Sequence, residues 1–98
     1  MAEQSVTYLH QGKSATVSAK LCTNDFSKGL GKMFSSSRQP LLFVFSREEM
    51  VRIHMLFVFM PLLVVWFDKD MKQVMSREMK PFISIGGARA KYVLEVPL

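Results

Sequence analysis

Between His54 and Asp68 lie thirteen residues, Met55 to Phe67, that carry no charge and are almost all large and apolar. A membrane-spanning helix needs about 20 such residues, so the run is too short to cross a bilayer as a helix. Arg52 and His54 bound it on one side and Asp68, Lys69 and Asp70 on the other. Pro61, near its middle, would remove a helical hydrogen bond and clash with the preceding turn. The stretch therefore reads as two buried strands joined near Pro61. Strands buried on both faces need cover from both sides, which restricts the chain to a sandwich or a closed sheet rather than an open one.

The flanking sequence repeats the β signal. Ala15, Val17, Ala19 and Leu21 alternate with Thr16, Ser18 and Lys20, the period-two pattern of a half-buried strand. Val6, Tyr8 and His10 alternate with Thr7 and Leu9, and Gln11-Gly12-Lys13-Ser14 separates the two segments as a turn, with Gly12 free to take positive φ. Leu41 to Phe45 has strand length, and Ser46-Arg47-Glu48-Glu49 reads as a charged turn. After it, Val51, Ile53, Met55, Phe57 and Phe59 share one face, with Arg52, His54, Leu56 and Val58 on the other. Tyr92 to Val96 is a final strand. Thr23-Asn24-Asp25 supplies helix-starting residues, followed by Phe26, Leu30 and Met33 at helical spacing. Met71, Val74, Met75 and Met79 suit a helical stripe as well as a strand. The fold class expected is mainly β: a compact β-sandwich or partly closed barrel with one short α-helix at about residues 25–33. At least six strands are expected. Phe43, Phe45, Ile53, Met55, Phe57, Leu62, Val64, Trp66 and Leu94 should form one contiguous core.

Size and charge narrow the rest. The 98 residues suit a single domain over 1–98, and one cysteine excludes an internal disulfide. The N-terminus lacks the basic and apolar regions of a secretory signal, so a cytoplasmic location is expected. The formal net charge of +5 is dispersed: residues 1–40 carry five Lys and Arg against two acids, and the remainder eight against six. No short stretch is dominated by cations, so neither a nucleic-acid-binding arm nor a membrane-binding segment is indicated.

Several pieces, in order, resemble the family called domain of unknown function 192. Leu42-Phe43-Val44-Phe45 is similar to its apolar strand. Ile53-His54-Met55-Leu56-Phe57-Val58-Phe59-Met60-Pro61 resembles its central strand and proline, in the form of archaeal members. Ala90-Lys91-Tyr92-Val93-Leu94-Glu95-Val96-Pro97 resembles its closing strand. Phe67-Asp68-Lys69-Asp70 matches a tight turn, and Ser27-Lys28-Gly29-Leu30 a short helix. The similarity spans about residues 16–97. It implies a compact β-sandwich or barrel and favours a strand at 71–78. Leu63 stands where many relatives have Asp, and the family implies no established activity.

Each candidate for chemistry competes with a plainer role. Asp68 and Asp70 could hold a cation, but Asp-Lys-Asp between strands is hairpin-turn chemistry. Cys22 with His10 or His54 could form a thiolate–imidazole pair, though no spacing requires it. Two histidines and one cysteine are too few for a zinc site, and no pattern calls for a cofactor. The eight methionines suit core filling better than metal binding. Gly86-Gly87 leads into a strand rather than a helix, so it reads as a plain turn and not a phosphate loop.

Arg52 and His54 are the ligand-binding candidates. They lie two apart on a strand, on a face that continues through Leu56 and Val58, giving a polar mouth over an apolar floor. A guanidinium suits carboxylate or phosphate, and His54 adds a donor that strengthens at mildly acidic pH. The function expected is a non-catalytic binding or interaction module for a small anionic ligand or a protein partner. The alternatives are an enzyme with a small pocket near His54, or weak nucleic-acid binding through dispersed basic residues.

Overall fold

The computed structural model describes residues 3–22, 39–54, 61–80 and 85–98, the side chains of 53, 54 and 85 excepted. Six strands run through them: β1 (Glu3–His10), β2 (Lys13–Cys22), β3 (Leu41–His54), β4 (Leu62–Phe67), β5 (Gln73–Met79) and β6 (Ile85–Pro97). They form one sheet in the order β1-β2-β3-β6-β4-β5, antiparallel except where β2 runs parallel to β3. The sheet curls into a nearly closed barrel. Its two outer strands meet where the Gln73 side chain accepts from the Leu9 N–H and donates to the Leu9 carbonyl, both at 2.8 Å. The helix expected at about 25–33 lies outside the described residues, and the described residues contain no helix.

Local chemistry accounts for the hairpins. Gln11 and Gly12 both take positive φ, 53° and 76°, as a two-residue type I′ turn requires. This turn matches the right-handed twist of β1 and β2. The β4–β5 turn is held by Asp68. Its Oδ1 accepts the N–H groups of Asp70 and Lys72 at 2.8 and 2.9 Å, while the Asp68 N–H donates to the Lys72 carbonyl at 2.9 Å. Asp68-Lys69-Asp70 is thus the hairpin turn expected of it, and residues 73–79 form the strand that the family resemblance favoured.

Two expected turns are corrected. Ser46-Arg47-Glu48-Glu49 is not a turn: β3 continues unbroken through it. Val44 pairs with Tyr92 and Glu49 with Ala90, so residues 45–48 of β3 face only Lys91 of β6. That is a large bulge, and bulges bend the strand that carries them. Gly86-Gly87 is likewise inside β6 rather than a turn. Glycine is needed there because other groups come close. A Cβ on Gly86 would lie 3.4 Å from Trp66 Cη2, and one on Gly87 would lie 3.0 Å from Arg52 Cγ and 3.1 Å from the Val51 carbonyl.

The bend explains the packing. Beyond the bulge, the β3–β6 arm folds back over the outer face of β4 and β5, so that each face of β4 is covered. All six residues of β4 are buried. Leu63, Val65 and Phe67 face inward with Val6, Tyr8, Ala19, Leu42 and Leu94. Leu62, Val64 and Trp66 face outward, beneath the arm, with Phe43, Val51, Met79, Ala90 and Val93. The single core expected is therefore two cores, separated by the sheet, with Leu94 in the inner one and Phe43 in the outer. Trp66 fastens the arm, its Nε1–H donating to the Val51 carbonyl at 3.0 Å. Met55, Phe57 and the side chain of Ile53, also expected in the core, lie outside the described residues.

Candidate anion-binding surface

The arm presents two different faces. Val51, Ala88 and Ala90 face Trp66, while strand alternation turns Met50, Arg52, Gly87 and Arg89 away from it. Met50 is 55% exposed, and Arg52 and Arg89 are exposed as well. Arg52 is paired with Gly87, and Met50 with Arg89. The two arginines are thus diagonal neighbours on adjacent strands, with Cβ atoms roughly 7–8 Å apart in a regular ladder. Gly87, half-buried, is crossed by the Arg52 side chain, whose Cγ lies 3.0 Å from where a Cβ on Gly87 would sit.

Electrostatics distinguishes the two arginines. Arg89 Nε lies 3.8 Å from Glu48 Oε1, a partly neutralising contact between side chains 69% and 27% exposed. The same carboxylate accepts the Lys69 N–H through Oε2 at 2.8 Å. The bulge residue Glu48 therefore holds both Arg89 and the β4–β5 turn. Arg52 forms no ion pair with any described residue. His54 ends β3, its backbone opposite Ile85. Its side chain, with Leu56 and Val58, lies outside the described residues, so the pocket expected around them has only Arg52 among the residues described.

The remaining candidates separate. Cys22 is buried in the outer core, its Sγ 3.9 Å from the Lys20 carbonyl. His10 pairs with Lys13 at the far end of β2, about 30 Å from Cys22 along the strand, so the two form no catalytic pair. His10 Nε2 instead lies 2.7 Å from Glu78 Oε2. Asp68 has its carboxyl held below the usual 3.8, chiefly by the Lys72 N–H. Partial desolvation opposes this, and the Asp70 N–H and the charges of Lys72 and Lys69 add to it. Among the described residues no group of three or more acids, histidines or cysteines could hold a metal ion. No described helix is long and apolar enough to cross a membrane.

Sequence reasoning missed two residues. Arg89 joins Arg52 only through the β3–β6 register, which no local pattern reveals. Glu95 is 5% exposed and is the one buried charged residue among those described. A Glu between Leu94 and Val96 reads as the wet side of a strand, but here that side is the outer core.

The model of the DUF192 family, described as an uncharacterized ACR, matches residues 6–98. The chain belongs to the DUF192 family. Two crystal structures share its fold, each with a TM-score of 0.82 over 97% of this chain. The first, from Sinorhizobium meliloti 1021, is provisionally described as a transcription regulator; it is 19% identical, and 79% of that chain is covered. The second, from Novosphingobium aromaticivorans DSM 12444, is a protein of unknown function, 17% identical, with 73% of its chain covered. At these identities the likeness is one of fold alone. No curated protein matches the chain significantly. Within this DUF192 chain, the Arg52–Gly87–Arg89 strip places two exposed arginines on one face of the β3–β6 arm.

Proposed function

We propose that this DUF192 chain is a non-catalytic binding module whose outer β3–β6 strip takes a small anionic ligand, carboxylate or phosphate. The observation that carries this reading is the pairing of exposed Arg52 with Gly87. The Arg52 side chain, without a described counter-ion, crosses Gly87, where the lack of a Cβ leaves it room. Arg89 supplies a second guanidinium, already oriented by Glu48. An exposed forked donor suits a planar or tetrahedral oxyanion. His54, at the end of the same strand, is proposed as a further donor.

Amide NMR titration with inorganic phosphate and with citrate tests the reading. Shifts should concentrate at 50–52 and 87–89. Arg52→Gln should weaken binding roughly 10- to 100-fold, the equivalent of the ~1.5–3 kcal/mol lost with a hydrogen bond to a charged group. Absence of binding at millimolar anion, or shifts unaffected by Arg52→Gln, would overturn it.

A further inference from the structure

The Arg52 strip carries less positive charge than its two arginines suggest, and it is not purely polar. Glu48 Oε1 lies 3.8 Å from Arg89 Nε. Its Oε2 accepts the Lys69 N–H at 2.8 Å, so the carboxylate is held beside Arg89 rather than turned into solvent. Arg47 Nε lies 3.7 Å from Glu49 Oε2, and that neighbouring pair adds no net charge. Two cations, Arg52 and Arg89, less one anion, Glu48, leave a single net positive charge on the strip.

Strand pairing supplies an apolar part. Met50 stands directly opposite Arg89, and Arg52 opposite Gly87. The four residues form a square on one face of the arm, with the arginines on one diagonal and Met50 and Gly87 on the other. Met50 is 55% exposed, a large apolar side chain standing in water beside two cations. The segments that continue the arm, 55–60 and 81–84, contain no acidic residue, so neither brings a carboxylate of its own to the strip.

We infer that the ligand of this strip is a monoanionic carboxylate with an apolar tail; the inference rests on the anion-binding reading above and narrows it. A carboxylate matches the single net charge and presents two oxygens to the Arg52 fork. The tail lies along Met50, whose flexible, polarisable thioether chain adapts to an apolar partner. A phosphate dianion is attracted by the arginines but meets Glu48, a like charge that the Lys69 N–H keeps in place. Glu48 is thus the specificity-determining residue, set against anions of higher charge, and Met50 is the residue that favours a tail.

Hexanoate, acetate and inorganic phosphate are titrated into the labelled chain at mildly alkaline pH, where phosphate is a dianion, with amide NMR followed at 50–52 and 87–89. Hexanoate should bind at least about fourfold tighter than acetate, the equivalent of one buried methylene group, and tighter than phosphate. Met50→Ser should erase the difference between hexanoate and acetate. Glu48→Gln keeps a carbonyl oxygen for the Lys69 N–H but removes the charge. Phosphate should then improve roughly threefold more than hexanoate, as expected on removing one unit charge several ångströms away in water. Phosphate binding as tightly as hexanoate, or acetate equal to hexanoate, would overturn the inference while leaving the anion-binding reading in place. A hexanoate preference that survives Met50→Ser would also overturn it, since the tail would then lie elsewhere. No shift with any of the three at millimolar concentration would end both.

Discussion

Trp66→Phe tests the folded-back arm most directly. Trp66 is fully buried, with Val51 and Ala90 among its outer-core companions and Gly86 of β6 against its ring. Phenylalanine fills much of the same space but lacks the indole N–H, so the Val51 carbonyl loses the 3.0 Å bond that Trp66 donates. Losing a partner to a buried polar group costs about 1–3 kcal/mol. The unfilled part of the indole site adds about 1–2 kcal/mol, by analogy with small core deletions. The total expected is roughly 2–5 kcal/mol, a large share of the ~5–15 kcal/mol typical of a domain. At ~4–8 °C per kcal/mol for a chain of this size, Tm should fall by at least about 8 °C and by as much as about 40 °C. The chain has one tryptophan, so far-UV circular dichroism in urea, not fluorescence, is the assay. Amide exchange should also accelerate at 50–52 and 87–90 more than in β1 and β2, since the arm loses its fastening. A loss under ~1 kcal/mol, or exchange rising uniformly across the sheet, would refute the claim that Trp66 anchors the arm.

Gly12→Ala should destabilise by about 1–2 kcal/mol in thermal melts, the cost of a Cβ in the left-handed region. Gly12 has φ +76° and open space around its Cβ position, so the backbone alone decides the effect. Asp68 supplies a pH dependence: its folded pKa lies below 3.8, so its stabilisation is complete above that value. That stabilisation is lost as pH falls through the lower folded value. Asp68→Ala should flatten this acid-side decline in a pH series of melts, and an unchanged decline would exclude the turn as its source.

What was legible in the sequence was local. Alternation placed Ala15, Val17, Ala19 and Leu21 inward and Thr16 and Ser18 outward, because each choice depends only on a residue's own face. The Gln11-Gly12 and Asp68-Lys69-Asp70 turns were legible because backbone chemistry at those positions is self-contained. The errors lie where distant strands decide. Ser46-Arg47-Glu48-Glu49 has the composition of a turn, and a solvated bulge has the same composition. Gly86 and Gly87 mark a close approach by Trp66 and Arg52 that only the β3–β6 register creates. Gln73 carries no signature of a closing residue, since any surface glutamine reads alike. At the site, exposed Arg52 was legible from strand phase. Its partner Arg89 was not, lying thirty-seven positions away on a strand whose glycines read as a turn.

The bulge at 45–48 connects these observations. Without extra residues opposite Lys91, β3 and β6 would continue straight past the end of β4, leaving Val51, Ala88 and Ala90 facing solvent and Trp66 bare. With them, the arm turns back. Its apolar face covers the outer core, and its other face, with Arg52 and Arg89, is necessarily directed at water. Of the bulge residues, Phe45 packs against the outer core, while Ser46 and Arg47 are exposed, which suits their polarity. One of them, Glu48, uses its charge to hold Arg89 and the Lys69 N–H at once. Covering the second core and orienting the cationic strip are thus a single structural event. A change that straightened β3 would be expected to remove both together.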